Sequence, residues 1–369
     1  MARSPSVPTR FPDFAADYAG ARSRFLRLAQ RVGARIESWP IAARGPAGDA
    51  LHIDSAYLGA DQPRRLLVVL SGTHGVEGFA GSAMQSHWLD RFHRSRLPVD
   101  GGVLLIHAVN PYGFAWLRRT NENNVDLNRN ALEHFPGPAN PIYRSLDTWL
   151  NPTTPADIWD PLLRRGVPLL LRHGLATLRQ VIVEGQYEFP RGLYYGGARL
   201  EPSVEIVLAL LARPAWRDMT RAVILDLHTG VGRYADYTLM VDFPPTSQPY
   251  RQLQQWFGED AVASNQPAAS IAYRVNGALT TRIAEVLGPA RTYAGVLEFG
   301  TYSGIRVLAG LRRENRVFHY APSQSTGRRR AGVSLREIFC PSSPAWRSRV
   351  LDRAARFIQQ AEAACFGKP

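Results

Sequence analysis

Four residues of this chain have the types and settings that metal and acid–base chemistry require. His74 and Glu77 stand three apart in Ser71-Gly72-Thr73-His74-Gly75-Val76-Glu77-Gly78, directly after the apolar run Leu66 to Leu70. His228 follows the apolar run Ala222 to Leu227 and precedes Thr229-Gly230. Two imidazoles and one carboxylate form a His2Glu set, which holds catalytic zinc and leaves one position open for water. Zinc lowers the pKa of such a water towards 7 and acts as a Lewis acid on a carbonyl. The glycines around His74 and Glu77 permit the tight loop that aims both side chains at one point. Glu298, in Val296-Leu297-Glu298-Phe299-Gly300, is the fourth residue. A carboxylate in an apolar run is costly to bury without a task, and a general base is the task this chemistry lacks. The plain alternative is a buried ion pair with one of the many arginines. Asp226 alternates with His228, so a strand would turn both to the same face.

These residues need elements to hold them. Short, continuous apolar runs recur at Leu66 to Leu70, Val103 to Ala108, Ala222 to Leu227, Thr238 to Val241 and Gly295 to Phe299. Runs of that length suit strands buried on both faces. Helical patterns cover residues 12–32, 82–96 and 204–211. Alternation of the two predicts an α/β fold: a mixed, mostly parallel central sheet flanked by helices. Ligands in such sheets bind where loops leave the carboxyl ends of the strands. Residues 133–200 break the rhythm with Pro, Gly, Trp and Tyr, and are expected to form a large insertion or cap within a single domain spanning 1–369.

Composition narrows the function classes. The 369 residues are 45% hydrophobic and 20% charged, which excludes disorder, collagen and coiled coil. No run approaches the length of a membrane span, and the N-terminal residues lack the apolar core of a signal peptide; a cytoplasmic protein is expected. The two cysteines, Cys340 and Cys365, exclude a disulfide scaffold and a cysteine-built zinc site. The net charge of +13 is spread along the chain, and one basic residue of the 44, Lys368, is lysine. The densest cluster, Arg328-Arg329-Arg330, reads as part of a loop, and no nucleic-acid partner is expected without a concentrated basic face. His87 and His93 read as helix residues and His107 as a core histidine. His52, His134, His173 and His319 have no constellation around them.

The segment from Asn110-Pro111-Tyr112-Gly113-Phe114 to Trp116-Leu117-Arg118-Arg119-Thr120-Asn121, followed by Val125-Asp126-Leu127-Asn128-Arg129-Asn130, adds a further pattern. Taken in order with His-x-x-Glu, the later His228 and Glu298, it resembles the zinc carboxypeptidase superfamily, most closely a bacterial branch of predicted metallopeptidases. The resemblance covers roughly residues 66–302. It implies a zinc-dependent exopeptidase-like fold with one zinc per chain held by His74, Glu77 and His228. Asp126 corresponds to the carboxylate that orients the first histidine. Arg118 corresponds to the arginine that polarises the scissile carbonyl, with Arg119 as its rival. Asn128 and Arg129 correspond to the pair that grips a terminal carboxylate, and Glu298 to the general base. Arg129 also has a bland reading as a loop arginine, and for Asp126 and Asp226 an ordinary turn or strand-end hydrogen bond competes.

The expected activity is therefore a zinc-dependent amide hydrolase of the metallocarboxypeptidase type, acting on a small peptide. Two alternatives stand beside it: a deacylase for N-acyl amino acids with the same zinc centre, and a metal-free binding protein on this fold. The digestive enzymes of the superfamily also use a mobile tyrosine before the catalytic glutamate; Tyr273 and Tyr293 are the candidates here. The 151 residues from Glu77 to His228 exceed the spacing expected of those enzymes, and the 133–200 segment accounts for the excess.

Overall fold

The apolar runs become the middle of a sheet. In the computed structural model, which describes residues 11–93, 97–153, 162–265, 275–322 and 325–367, eight strands form one sheet. They are β1 (Arg35–Arg44), β2 (Ala50–Gly59), β3 (Arg65–Ser71), β4 (Gly101–His107), β5 (Arg221–Tyr234), β6 (Tyr237–Val241), β7 (Val262–Ser264) and β8 (Thr292–Gly300). The spatial order is β1-β2-β4-β3-β5-β8-β6-β7. The central four, β4-β3-β5-β8, run parallel, while β2 and β6 lie antiparallel against their outer members. This is the mixed α/β sheet expected from the alternation of strand and helix patterns. The five expected strands are all present. The hairpin β1–β2 was not expected, because β1 is half-exposed and carries Arg, Glu and Pro40 in place of an apolar run.

Residues 66–71 of β3 and all of β4 are buried without alternation, as strands covered on both faces must be. The helices Gly78–Asp90 and Pro344–Phe366 pack on β3 and β5, and Leu279–Leu287 packs on β5 and β8. The first helix begins at Tyr18 rather than residue 12, because Asp17 caps it by accepting from the Gly20 N–H at 2.8 Å. Asp13 turns away to bond Arg24 and His87. The next expected helix spans Gly78–Asp90, four residues earlier than the pattern implied, and leaves His93 outside it. Arg328, Arg329 and Arg330 lie in the helix Thr326–Phe339 rather than a loop, with Ser325 as its cap.

Within 133–200 lie the helices Pro141–Leu150, Leu162–His173 and Leu175–Glu184, the first and last of which supply six of the fourteen buried residues of a second apolar cluster. Tyr143, Leu146, Leu178 and Ile182 pack there with Val307, Leu335, Phe339 and Val76. Val76 lies between His74 and Glu77, so this segment presses on the turn that carries both. Among the described residues no helix is long and apolar enough to cross a membrane.

Candidate metal centre

The loop after β3 places the first two ligands. Gly72 takes φ +68°, a conformation L side chains rarely adopt, and the chain then makes a single helical turn over Gly75–Glu77. A Cβ on Gly75 would stand 2.1 Å from the carbonyl carbon of Gly113, so the two backbones touch there. The contact is sealed by the Gly75 N–H donating to the Arg119 carbonyl at 3.1 Å and the Val76 N–H to the Arg118 carbonyl at 2.8 Å. Asn110 caps the short helix Pro111–Trp116, accepting from the Gly113 N–H at 2.8 Å. The Asn-Pro-x-Gly-Phe run thus buttresses the His-x-x-Glu turn. His228 and Glu298 are paired neighbours in the parallel ladder of β5 and β8.

These elements bring His74, Glu77 and His228 to one buried point. Nδ1 of His74 lies 2.9 Å from Glu77 Oε1 and 3.0 Å from Nδ1 of His228, which lies 3.1 Å from Glu77 Oε2. The second nitrogen of each ring faces a buried carboxylate: Nε2 of His74 lies 3.0 Å from Asp126, and Nε2 of His228 lies 2.8 Å from Asp226. In the tautomer with protons on those outer nitrogens, two Nδ1 lone pairs and a carboxylate converge on one another. Such a set repels itself without a cation between its members. Ligands at about 2.1 Å around a tetrahedral zinc stand about 3.4 Å apart, within a few tenths of an ångström of the three separations here. Histidines oriented by carboxylates are the usual support of a metal site, and a buried donor set of two nitrogens and an oxygen fits zinc.

With no cation between His74, Glu77 and His228 a proton can take its place, and the charges of the three groups then compensate one another. Burial would raise the Glu77 carboxyl, but His74 and His228 outweigh it and pull it well below the usual range. Burial opposes the charged form of His228, and Asp226 and Glu77 outweigh it to raise the imidazole well above its ordinary value. Asp126 is likewise held low against its burial by Arg119 and His74. Asp226 also accepts from the Thr73 hydroxyl at 2.9 Å, which ties β5 to the His74 loop.

A cleft of about 920 Å3, counted to its open mouth, adjoins this centre. Glu298, Arg119, Asn128 and Arg129 all line it. Glu298 Oε1 accepts from the Val231 N–H at 2.8 Å. Burial and then repulsion from Glu77 push its pKa up to about 7, the range in which a carboxyl both takes and returns protons near neutrality. Asn128 Oδ1 accepts from the Leu279 N–H, which leaves its amide nitrogen to donate. Arg129 gives three N–H groups to the carbonyls of Val183 and Asn128, leaving one on each terminal nitrogen.

Arg118 stands outside the cleft lining. It is 1% exposed and turned away from the cleft, with Nε donating to Glu314 at 2.7 Å, a terminal nitrogen donating to Asn124 at 2.9 Å, and its guanidinium over Phe318. Arg119 occupies the cleft instead, donating to Asp126 at 3.0 Å and Glu77 at 3.2 Å, with its other terminal nitrogen 2.8 Å from His74 Nε2. The backbone of both residues is bonded to the Gly75–Val76 turn, and adjacent side chains leave it in different directions. Tyr293 packs on Trp256 away from the cleft, and Tyr273 lies outside the described residues. Tyr194, Asp242 and Thr229 line the cleft without having been singled out from the sequence. Among these, the Thr229 N–H donates to Glu77 at 3.0 Å. For Asp226 the strand alternation was the available signal, whereas nothing local marks Tyr194.

Comparison with solved structures finds carboxypeptidase A from Helicoverpa armigera at 13% identity, covering 96% of this chain and 76% of that one, with a TM-score of 0.45. Thrombin activatable fibrinolysis inhibitor matches at 13% identity over 95% of this chain and 77% of that one, TM-score 0.47. A metallo-carboxypeptidase from Burkholderia cenocepacia matches at 11% identity over 91% and 69%, TM-score 0.37. No curated protein matches the sequence. One family model matches residues 14–353, most of the chain, and the chain belongs to that family, described as protein of unknown function DUF2817.

Proposed function

We propose that this protein is a zinc-dependent amide hydrolase of the carboxypeptidase type, acting on a small substrate with a free carboxylate beside the scissile bond. The observation that carries the reading is the convergence of His74 Nδ1, His228 Nδ1 and the Glu77 carboxylate at 2.9–3.1 Å from one another, with Glu298 and Arg119 lining the adjoining cleft. His74, Glu77 and His228 would hold the zinc. When bound, zinc supplies a Lewis acid for the carbonyl and makes water a stronger acid.

The remaining work falls to the chain. Glu298 takes a proton from the attacking water and returns it to the leaving amine, a cycle suited to its pKa of about 7. Arg119, rather than Arg118, presents positive charge where the carbonyl oxygen becomes an anion. Asp126 holds both His74 and Arg119 in place. The Asn128 amide and the two spare N–H groups of Arg129 receive the substrate carboxylate through charge-assisted bonds. An N-acyl amino acid offers the same atoms in the same order as a C-terminal peptide bond, so the deacylase reading shares this geometry.

The test uses the zinc-loaded protein with hippuryl-type peptides and N-acyl amino acids, each as the free acid and as the terminal amide. Free acids should be hydrolysed and amides left almost untouched, since a neutral amide brings a donor towards the donor-only guanidinium. No hydrolysis of any of them by protein holding one zinc per chain would overturn the hydrolase reading. Equal rates on acids and amides would remove the carboxylate grip from it.

A further inference from the structure

The helix Leu162–His173 rests one side on the protein and leaves the other unpartnered. Leu162 and Leu169 face inwards with Gly166 between them on the same side. The Leu162 carbonyl accepts from the Trp149 indole at 3.0 Å, and a Cβ on Gly166 would stand 3.0 Å from that ring. With 3.6 residues per turn, the outer surface then divides in two. Val167, Leu170 and Leu171 form an apolar stripe, and Arg164, Arg165 and Arg172 form a basic stripe beside it. All six are exposed, Leu171 by 81%, and so is Leu175 at the start of the next helix. Single exposed apolar residues need no explanation, but a run of them on one helix does.

The charge of this stretch has one sign. No Asp or Glu occurs from Leu162 to Val183. Among the described residues no ion pair engages Arg164, Arg165 or Arg172. Arg144, equally at the surface of the helix Pro141–Leu150, instead holds Glu188 through two bonds at 2.8 and 2.9 Å. The three free guanidiniums call for an anionic partner, and a second copy of the same face would set like charges against each other. Exposure as high as that of Leu171 marks a ridge, whereas the anchors of protein interfaces fill pockets. A ridge with leucines along one side and arginines along the other matches the boundary layer of a bilayer, where apolar side chains enter the acyl region and arginines stay among the phosphates.

We propose that the helix Leu162–His173 docks this protein on anionic lipid surfaces, lying in the plane of the interface with Val167, Leu170 and Leu171 inserted and Arg164, Arg165 and Arg172 on the headgroups. This is attachment at the surface and not a span, which no described helix is long and apolar enough to make. It stands independently of the metal centre, since none of these residues lines the cleft.

Co-sedimentation of the whole chain with vesicles tests it, using phosphatidylcholine alone and equal parts of phosphatidylcholine and phosphatidylserine. Three arginines near an anionic leaflet should favour the mixed vesicles by about 100-fold. The net charge of +13 spread over the chain would also favour them, so two variants isolate the helix. Val167→Ser with Leu171→Ser keeps every charge and should weaken binding to mixed vesicles by about 10–100-fold, as expected for two partly inserted side chains. Arg164→Gln, Arg165→Gln and Arg172→Gln together keep the apolar stripe and should remove most of the preference for phosphatidylserine. Both variants change exposed positions, so melting temperature and zinc content should match the parent. Binding of the serine variant to mixed vesicles at the parent's strength would show that spread charge alone is responsible and overturn the inference, as would equal binding of the parent to both vesicles or to neither. Capture of soluble polyglutamate by the parent without binding to mixed vesicles would assign the face to an acidic protein and overturn it as well.

Discussion

Replacing Arg118 and Arg119 with methionine, one at a time, separates two chain neighbours that fold to different duties. Arg118 is enclosed, and methionine preserves aliphatic bulk over Phe318 while leaving the buried Glu314 without its cation. Removing one member of a buried ion pair costs about 3–5 kcal/mol. For 369 residues the entropy of unfolding is about 0.8 kcal/mol/K. Arg118→Met should therefore lower Tm by about 4–6 °C, with kcat/KM near the parent value. Arg119→Met reverses the pattern. Asp126 keeps His74 and the Asn128 N–H, and Glu77 keeps His74, His228 and the Thr229 N–H, so the fold loses less. The cleft loses its donor to the developing oxyanion, worth about 10²–10³ in kcat. Thermal melts and initial rates on a free-acid hippuryl peptide or N-acyl amino acid read both effects. A fully active Arg119→Met beside an inactive, normally melting Arg118→Met would refute the assignment.

Three further outcomes follow from the geometry. The purified protein should hold about one zinc per chain, lost on changing His74, Glu77 or His228 to alanine, while Asp126→Asn should weaken zinc by about 10–100-fold; metal analysis of dialysed protein checks both. Glu298→Gln should keep zinc and Tm but lower turnover by about 10²–10⁴-fold, since only the proton carrier is gone. His107 is buried in β4, 2.8 Å from the Ser82 hydroxyl and stacked on Phe25, and burial pushes its pKa down to about 4. The unfolded chain then binds more protons between pH 6.5 and 4, so stability falls as pH drops through that window, by about 2 kcal/mol from pH 7 to pH 5. Urea unfolding at the two pH values should show this contribution in the parent and its disappearance in His107→Gln.

What the sequence determined by itself was the set of strands and the polar residues at their ends. Buried parallel strands must be continuous apolar runs, so a histidine or glutamate closing such a run is conspicuous, and His74, Glu77, His228 and Glu298 were legible for that reason. The Asp226–His228 relation was visible too, because strand side chains alternate by a period of two. The exposed hairpin β1–β2 was not, since mixed polar and apolar residues on an outer strand resemble a loop. Tertiary structure alone shows which of Arg118 and Arg119 enters the cleft. Both follow Leu117, which takes φ +58°, and both carbonyls bond to a turn some forty residues earlier, so which side chain enters the cleft depends on a long-range contact that no local pattern encodes. The same holds for Tyr194. Its place beside two guanidiniums comes from bonds that it and its neighbours Leu193 and Tyr195 make to Asn151, Tyr143, Gln186 and Asp126, residues that meet only when the chain is folded.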